Sequence, residues 1–244
     1  MMWRGAAVGR LSEILELGLP RRWSLSGAGT GGVIAGGIAA SPGQGRVDGR
    51  ARVGRDACVE AVPRPLHADW AWRPMPWSGP VDGLAAGRVA SGAALGHGVK
   101  LFHDCPRGDC AVRRLRDAET ARGIAGIEIE VGRFEGGFLS LAIDLPPAAV
   151  NGLSRRHLVG VAMVLEVAHT RPVYARLNVR HGPNLAQVVQ GWDGGPRVDL
   201  DLAVLDLDED RVASAWVDLI FEAPAMTRIT LRDVTLSRRP RAEF

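Results

Sequence analysis

His97, His103, Asp104, Cys105, Asp109 and Cys110 crowd into one short stretch, and they are the residue types that most readily do chemistry. A cysteine beside histidine and aspartate can act as a nucleophile whose thiolate an imidazolium stabilises. Equally, His103, Cys105 and Cys110 offer the imidazole and thiolate ligands that zinc prefers. Neither pattern is specific. The Cys-x4-Cys spacing has no second pair, and neighbours on a strand point to opposite faces. Adjacency in sequence also does not bring a base within hydrogen-bond reach of a nucleophile. The plainer alternative is a strand end closing into a turn, with Asp104 capping backbone amides and Cys105 half-buried.

A second constellation is spread over strands. In Val173–His181, Val173, Ala175, Leu177 and Val179 alternate with Tyr174, Arg176, Asn178 and Arg180, which predicts one core face and one polar face. Ala215, Val217, Leu219 and Phe221 form a similar core set and leave Trp216 and Asp218 on the polar side. Guanidinium, amide, carboxylate and indole groups are those a saccharide site uses. An ordinary antiparallel sheet with one wet face shows the same alternation. His181 and Asn184, flanking Gly182-Pro183 at the strand end, are a third candidate on a loop. Asp206, Asp208, Glu209 and Asp210 suggest calcium, but lack the glycine and distal glutamate of an EF-hand loop, so a solvated connector is expected. Arg238, Arg239 and Arg241 offer a phosphate contact or a merely solvated tail.

These residues need strands to hold them. Arg88–Ala94, Gly98–His103, Leu158–Ala168 and Arg197–Val204 read as strands, and Ile127–Phe134 with Phe138–Leu145 as a hairpin about Glu135-Gly136-Gly137. Leu158–Ala168 is nearly continuous apolar, as for a strand covered on both faces. Val212–Leu236 reads as two long core strands broken at Ala223-Pro224-Ala225. Within it, Ile229 and Leu231 have one parity while Val234 and Leu236 have the other, which predicts a β-bulge near Arg232-Asp233. Trp70, Trp72 and Trp77 sit among prolines, too aromatic for a solvated linker and too proline-rich for a helix. They predict an extended strap anchored by its rings, the alternative being an aromatic platform for sugars or a peptide. No helical pattern separates the strands, so the expected fold is an all-β antiparallel sandwich, jelly-roll-like, over residues 65–244. Residues 1–64 predict a low-complexity, mostly disordered extension, with a short amphipathic helix near 11–17.

Of 30 basic and 27 acidic residues in the 244, nine arginines and five acids fall in residues 1–64. The remainder carries a net charge of −1, without the positive surface that nucleic acid demands. No apolar stretch is long enough to span a bilayer, no secretory leader is visible, and three cysteines make no disulfide framework. A cytoplasmic protein is expected. No P-loop, dinucleotide fingerprint, HExxH or GxSxG elbow is present, and no cofactor is implied.

The motifs HADWAWRPMPWSGP (67–80), VKLFHDCP (99–106), ARLNVRHGPN (175–184) and SRRPRAEF (237–244) resemble an uncharacterised bacterial family carrying a domain-of-unknown-function label. The strand order also loosely resembles galactose-binding-like and carbohydrate-binding jelly rolls. The first resemblance implies no activity, cofactor or catalytic residue; the second implies a fold. The expected function is a non-catalytic module binding a polar ligand such as a glycan. Its site would be Tyr174, Arg176, Asn178, Arg180, Trp216 and Asp218, with His181 and Asn184. The alternatives are a metal-binding or cysteine-dependent enzyme using His103-Asp104-Cys105, and a scaffold protein recruiting a partner through its N-terminal helix.

Overall fold

Every strand pairing is antiparallel, and the strands divide into two sheets. The computed structural model describes Val62 and residues 64–78, 87–105, 109–115, 126–167 and 172–242. These all belong to one unit, Arg55–Phe244. The expected helix at 11–17 and nearly all of the 1–64 extension lie outside the described residues.

The strands are β1 (Trp70–Trp72), β2 (Gly87–Arg88), β3 (Ala93–Gly96), β4 (Val99–His103), β5 (Cys110–Arg114), β6 (Ile127–Val131) and β7 (Phe138–Asp144). They continue as β8 (His157–Val167), β9 (Val173–His181), β10 (Asn184–Gly191), β11 (Arg197–Asp201), β12 (Val212–Glu222) and β13 (Thr227–Pro240). Two single-turn α-helices, α1 (Met75–Ser78) and α2 (Pro147–Val150), and two 3-10 turns, Leu202–Val204 and Glu209–Arg211, complete the set among the described residues. The first sheet runs β11-β8-β13-β6-β5-β2, with β1 added on β13; the second runs β10-β9-β12-β7-β4-β3. This is the all-β, jelly-roll-like sandwich that the alternation predicts.

The core lies between the sheets, where the predicted parities hold. Ala175, Leu177, Val179, Ala215, Val217, Leu219 and Phe221 of the second sheet are buried, as are Ile229, Leu231, Val234 and Leu236 of β13. The parity change in β13 is a bulge. Leu231 pairs with Leu165 but Asp233 with Val164, so Arg232 is the extra residue that returns Val234 to the core side. The Leu231 carbonyl freed there accepts a hydrogen bond from Trp77 Nε1 at 3.0 Å. Gly126 packs against the same carbonyl so closely that any Cβ would collide with it. Trp77 is fully buried, and β1 pairs with Leu236–Arg238, so the tryptophan segment is an anchoring strap, but it is not extended throughout: Trp77 lies in the single helical turn α1, where no helix is expected.

Two expectations are corrected, the β6–β7 hairpin and the cover of β8. β6 and β7 do not form a hairpin: β6 pairs with β5 and β13, whereas β7 pairs with β4 and β12 in the other sheet. Their inner faces meet across the core, which a hairpin would not allow. β12 and β13 likewise lie in different sheets. Their connection turns the chain with Ala223 and Met226 at φ of 42° and 53°, left-handed values uncommon outside glycine. β8 is covered on both faces only over Val159, Gly160 and Val161; Val164 and Glu166 are exposed. β10 was not anticipated, because NLAQVVQG has polar residues on both parities.

Trp77→Phe keeps an aromatic ring but removes the donor to Leu231, leaving a buried carbonyl unpaired. It should lower unfolding free energy by about 1–3 kcal/mol in urea titrations. An unchanged midpoint would mean that the strap does not secure the bulge.

Candidate functional site

Residues of the second sheet that do not face the core share its outer surface, and strand register sets their order. One row reads Val189, Arg176, Asp218, Ala142, Lys100; the next reads Gln187, Asn178, Trp216, Asp144. Arg176 and Asp218 are direct cross-strand partners, so opposite charges meet without either side chain reaching. Arg176 donates from Nε and Nη2 to Asp218 Oδ2, at 3.0 and 2.9 Å. Asn178 Nδ2 donates to the same oxygen at 2.8 Å, and Gln187 Nε2 donates to Asn178 Oδ1 at 2.6 Å.

The expected wet face is in fact largely buried. Arg176 is 3% exposed, Asn178 1% and Asp218 0%. Burial pushes the Asp218 carboxyl above the usual carboxylate range, against the pull of Arg176 and of hydrogen bonds from Asn178, Arg176 and Trp216. Ser140 Oγ is buried with no hydrogen-bond partner. Ser140 pairs with Ile220, two residues along β12 from Asp218, so the orphan hydroxyl and the Asp218 carboxyl belong to diagonal neighbours on one face. Around them Trp216, Lys100, Phe102, Gln187 and Arg180 are half-buried. Tyr174 is buried and donates to Glu222 Oε2 at 3.4 Å.

The structure thus brings Tyr174, Arg176, Asn178, Arg180, Trp216 and Asp218 to one face. His181 and Asn184 stand apart. His181 is buried with the core parity, and its Nδ1 accepts the Asp208 amide at 3.2 Å, while Asn184 is exposed at the hairpin end. Gln187 and Ser140 were missed. Gln187 was legible in principle, because the two-residue turn Gly182-Pro183 sets it opposite Asn178. Ser140 sits inside the apolar run FLSLAID and carried no signal of its own.

The cysteine stretch resolves into the plainer alternative. Asp104 accepts the Gly137 and Phe138 amides at 2.8 and 3.2 Å, and Cys105 Sγ accepts the Glu135 amide at 3.3 Å. His103 stacks edge-on against Phe134, with ring centroids 5.8 Å apart, and neither ring nitrogen has a hydrogen-bond partner. No base is therefore bonded to the Cys105 thiol. A surface cavity of about 570 Å³ borders His103, Asp104 and Cys105. Among the described residues, no three His, Cys, Asp or Glu side chains converge as a metal shell, so the proposed His103, Cys105 and Cys110 ligand set is corrected. Burial, with the charges of Cys105 and Asp109, pushes the Cys110 thiol up to about 11, the reverse of an activated nucleophile.

Several of the other charges singled out in the sequence have structural partners. Glu209 accepts the Arg155 amide at 2.7 Å, and Asp208 faces Arg211 at 3.9 Å. Arg238, Arg239 and Arg241 pair with Asp69, Asp199 and Asp201. No helix among the described residues is long and apolar enough to cross a membrane.

A model of a family of unknown function, DUF6478, matches residues 47–244. No curated protein matches the chain. Among solved structures, the enzymatically active domain of tailspike protein 4 from bacteriophage CBA120 is similar at 8% identity and a TM-score of 0.40. That match covers 64% of this chain and 21% of the tailspike chain. A family 11 carbohydrate-binding module from Clostridium thermocellum, in complex with a mixed-linked tetrasaccharide, is similar at 10% identity and a TM-score of 0.37, covering 66% of this chain and 99% of the module. A candidate sugar-binding protein from Bacteroides thetaiotaomicron is similar at 13% identity and a TM-score of 0.40, covering 64% of this chain and 96% of that one. At these identities and scores, none bears on what this chain binds.

The raised Cys110 thiol has a sign. Its folded pKa, about 11, exceeds the ordinary 9.0, so the stability it confers is whole below pH 9.0 and is lost as pH rises toward 11. Alkylation of Cys110 in the folded protein, followed by peptide mass spectrometry, should accelerate only as pH approaches 11. Rapid labelling at neutral pH would contradict this.

Proposed function

We propose that this chain, which belongs to that family of unknown function, is a non-catalytic binding module for a polar, hydroxyl-rich ligand, in the first instance a glycan. The site is the outer face of the second sheet. What supports the reading most is a buried hydroxyl there with no hydrogen-bond partner, Ser140 Oγ, diagonal to the Asp218 carboxylate and opposite half-buried Phe102. An unmet hydrogen-bonding group in a buried setting carries a free-energy cost that a ligand hydroxyl would relieve. Hydroxyls suit both groups, because they donate to a carboxylate and either donate to or accept from serine.

The neighbours fit the same chemistry. Arg176 and Asn178 are fixed by Asp218 and Gln187 before any ligand arrives, so little ordering entropy opposes binding. Trp216, half-buried, supplies a ring that suits the apolar face of a sugar. Arg180 and Gln187 at the rim supply further donors.

Ser140→Ala separates this reading from a purely structural role. Removing an orphan hydroxyl should leave the melting temperature unchanged or slightly raised, while weakening the affinity for a ligand found on a glycan array severalfold. Trp216→Ala should weaken it about tenfold, the equivalent of roughly 1.4 kcal/mol. If the unaltered protein retains nothing on the array and no glycan shifts its melting temperature, the reading is wrong. It fails also if Ser140→Ala lowers stability and leaves binding intact.

A further inference from the structure

Among the described residues five strands have an open edge: β11, β2 and the three-residue β1 in the first sheet, β10 and β3 in the second. Exposed edges invite pairing with another chain, and proteins blunt them with brevity or charge. β2 has two residues and β3 four, while β11 carries Arg197, Asp199 and Asp201. β10 uses neither device. It has eight residues, Asn-Leu-Ala-Gln-Val-Val-Gln-Gly, with no charge among them, and Leu185 is 46% exposed.

Among the described residues the outward backbone of β10 has no strand partner, though β11 of the other sheet approaches β10. Trp192, next in the same register, donates its amide to Val173 of β9 at 2.8 Å. By strict alternation the even residues of β10 point their N–H and C=O groups at β9, and the odd ones, Leu185, Gln187 and Val189, point them outward. No strand among the described residues pairs with that side.

We infer that β10 is the interface of a homodimer, in which two copies pair their β10 strands antiparallel about a two-fold axis through Gln187. Charge decides for a second copy. A dyad sets the strand against itself, so any charge near the axis meets its own like, and β10 is the one long edge without such a charge. Register decides next. With Gln187 opposite Gln187, Leu185 meets Val189, Ala186 meets Val188 and Asn184 meets Gln190: apolar faces apolar and amide faces amide. The same register makes the outward-pointing odd residues the hydrogen-bonded pairs, giving about six new main-chain bonds. Pro183, without an N–H, bounds the ladder at one end. The two second sheets become one sheet of twice six strands. The inference stands whether or not the outer face binds glycan.

Analytical ultracentrifugation of the full chain tests it. The unaltered protein should sediment as twice 26.0 kDa. Gln187→Lys sets like charges opposite each other and should raise the dimer dissociation constant about tenfold. An equimolar mixture of Gln187→Lys and Gln187→Glu chains should recover the dimer, which a general loss of stability would not allow. Should either variant misfold by circular dichroism, Leu185→Lys takes its place at an exposed position and should weaken the dimer likewise. A monomeric unaltered protein overturns the proposal, as does a folded Gln187→Lys or Leu185→Lys chain that dimerises as tightly as the original.

Discussion

One extra residue in β13 governs what the first sheet can present to the core. Side chains alternate with period two, so without the bulge at Arg232 either Ile229 and Leu231 or Val234 and Leu236 would face solvent. The bulge leaves a carbonyl unpaired in a buried place, and an indole brought in by the strap satisfies it. The absence of a side chain at Gly126 lets the neighbouring strand approach the same spot. The tryptophan segment, the glycine and the phase change in β13 are thus one solution to one parity problem.

That problem was legible from residue spacing, as were the alternating strands and the sandwich. Connectivity was not. Glu135-Gly136-Gly137 reads as a hairpin turn, and the sequence carries no local mark that the chain there passes to the opposite sheet. The signal is shared among β4, β5, β12 and β13, each far away along the chain. β10 escaped notice for a related reason: an edge strand with little burial has no apolar stripe to betray it.

Parity correctly grouped Tyr174, Arg176, Asn178 and Asp218 on one face, yet parity alone says nothing of depth. Burial changes what such groups do. At a wet surface the Arg176–Asp218 pair would contribute little. Buried, it sets a cost of desolvation against attraction, and losing either partner would strand a charge. Its main effect is to hold Asn178, and through it Gln187, in one orientation. The cysteine stretch shows the opposite case, where reactive residue types serve a turn: Asp104 and Cys105 satisfy the amides that the β6–β7 crossing leaves open.

The two strands at the middle of the sheets are also the last two in order. Without β13 the first sheet falls into β11-β8 and β6-β5-β2; without β12 the second falls into β10-β9 and β7-β4-β3. A ribosome delivers residues from the N-terminus, so β6, β7, β8 and β9 emerge while the strands that join them are still unmade. Each then waits with an open hydrogen-bonding edge, which is the condition for aggregation. Contacts so distant along the chain also slow folding, because loops must close before they are rewarded. Translation of this protein therefore leaves a long interval of exposure, during which a chaperone has most to contribute.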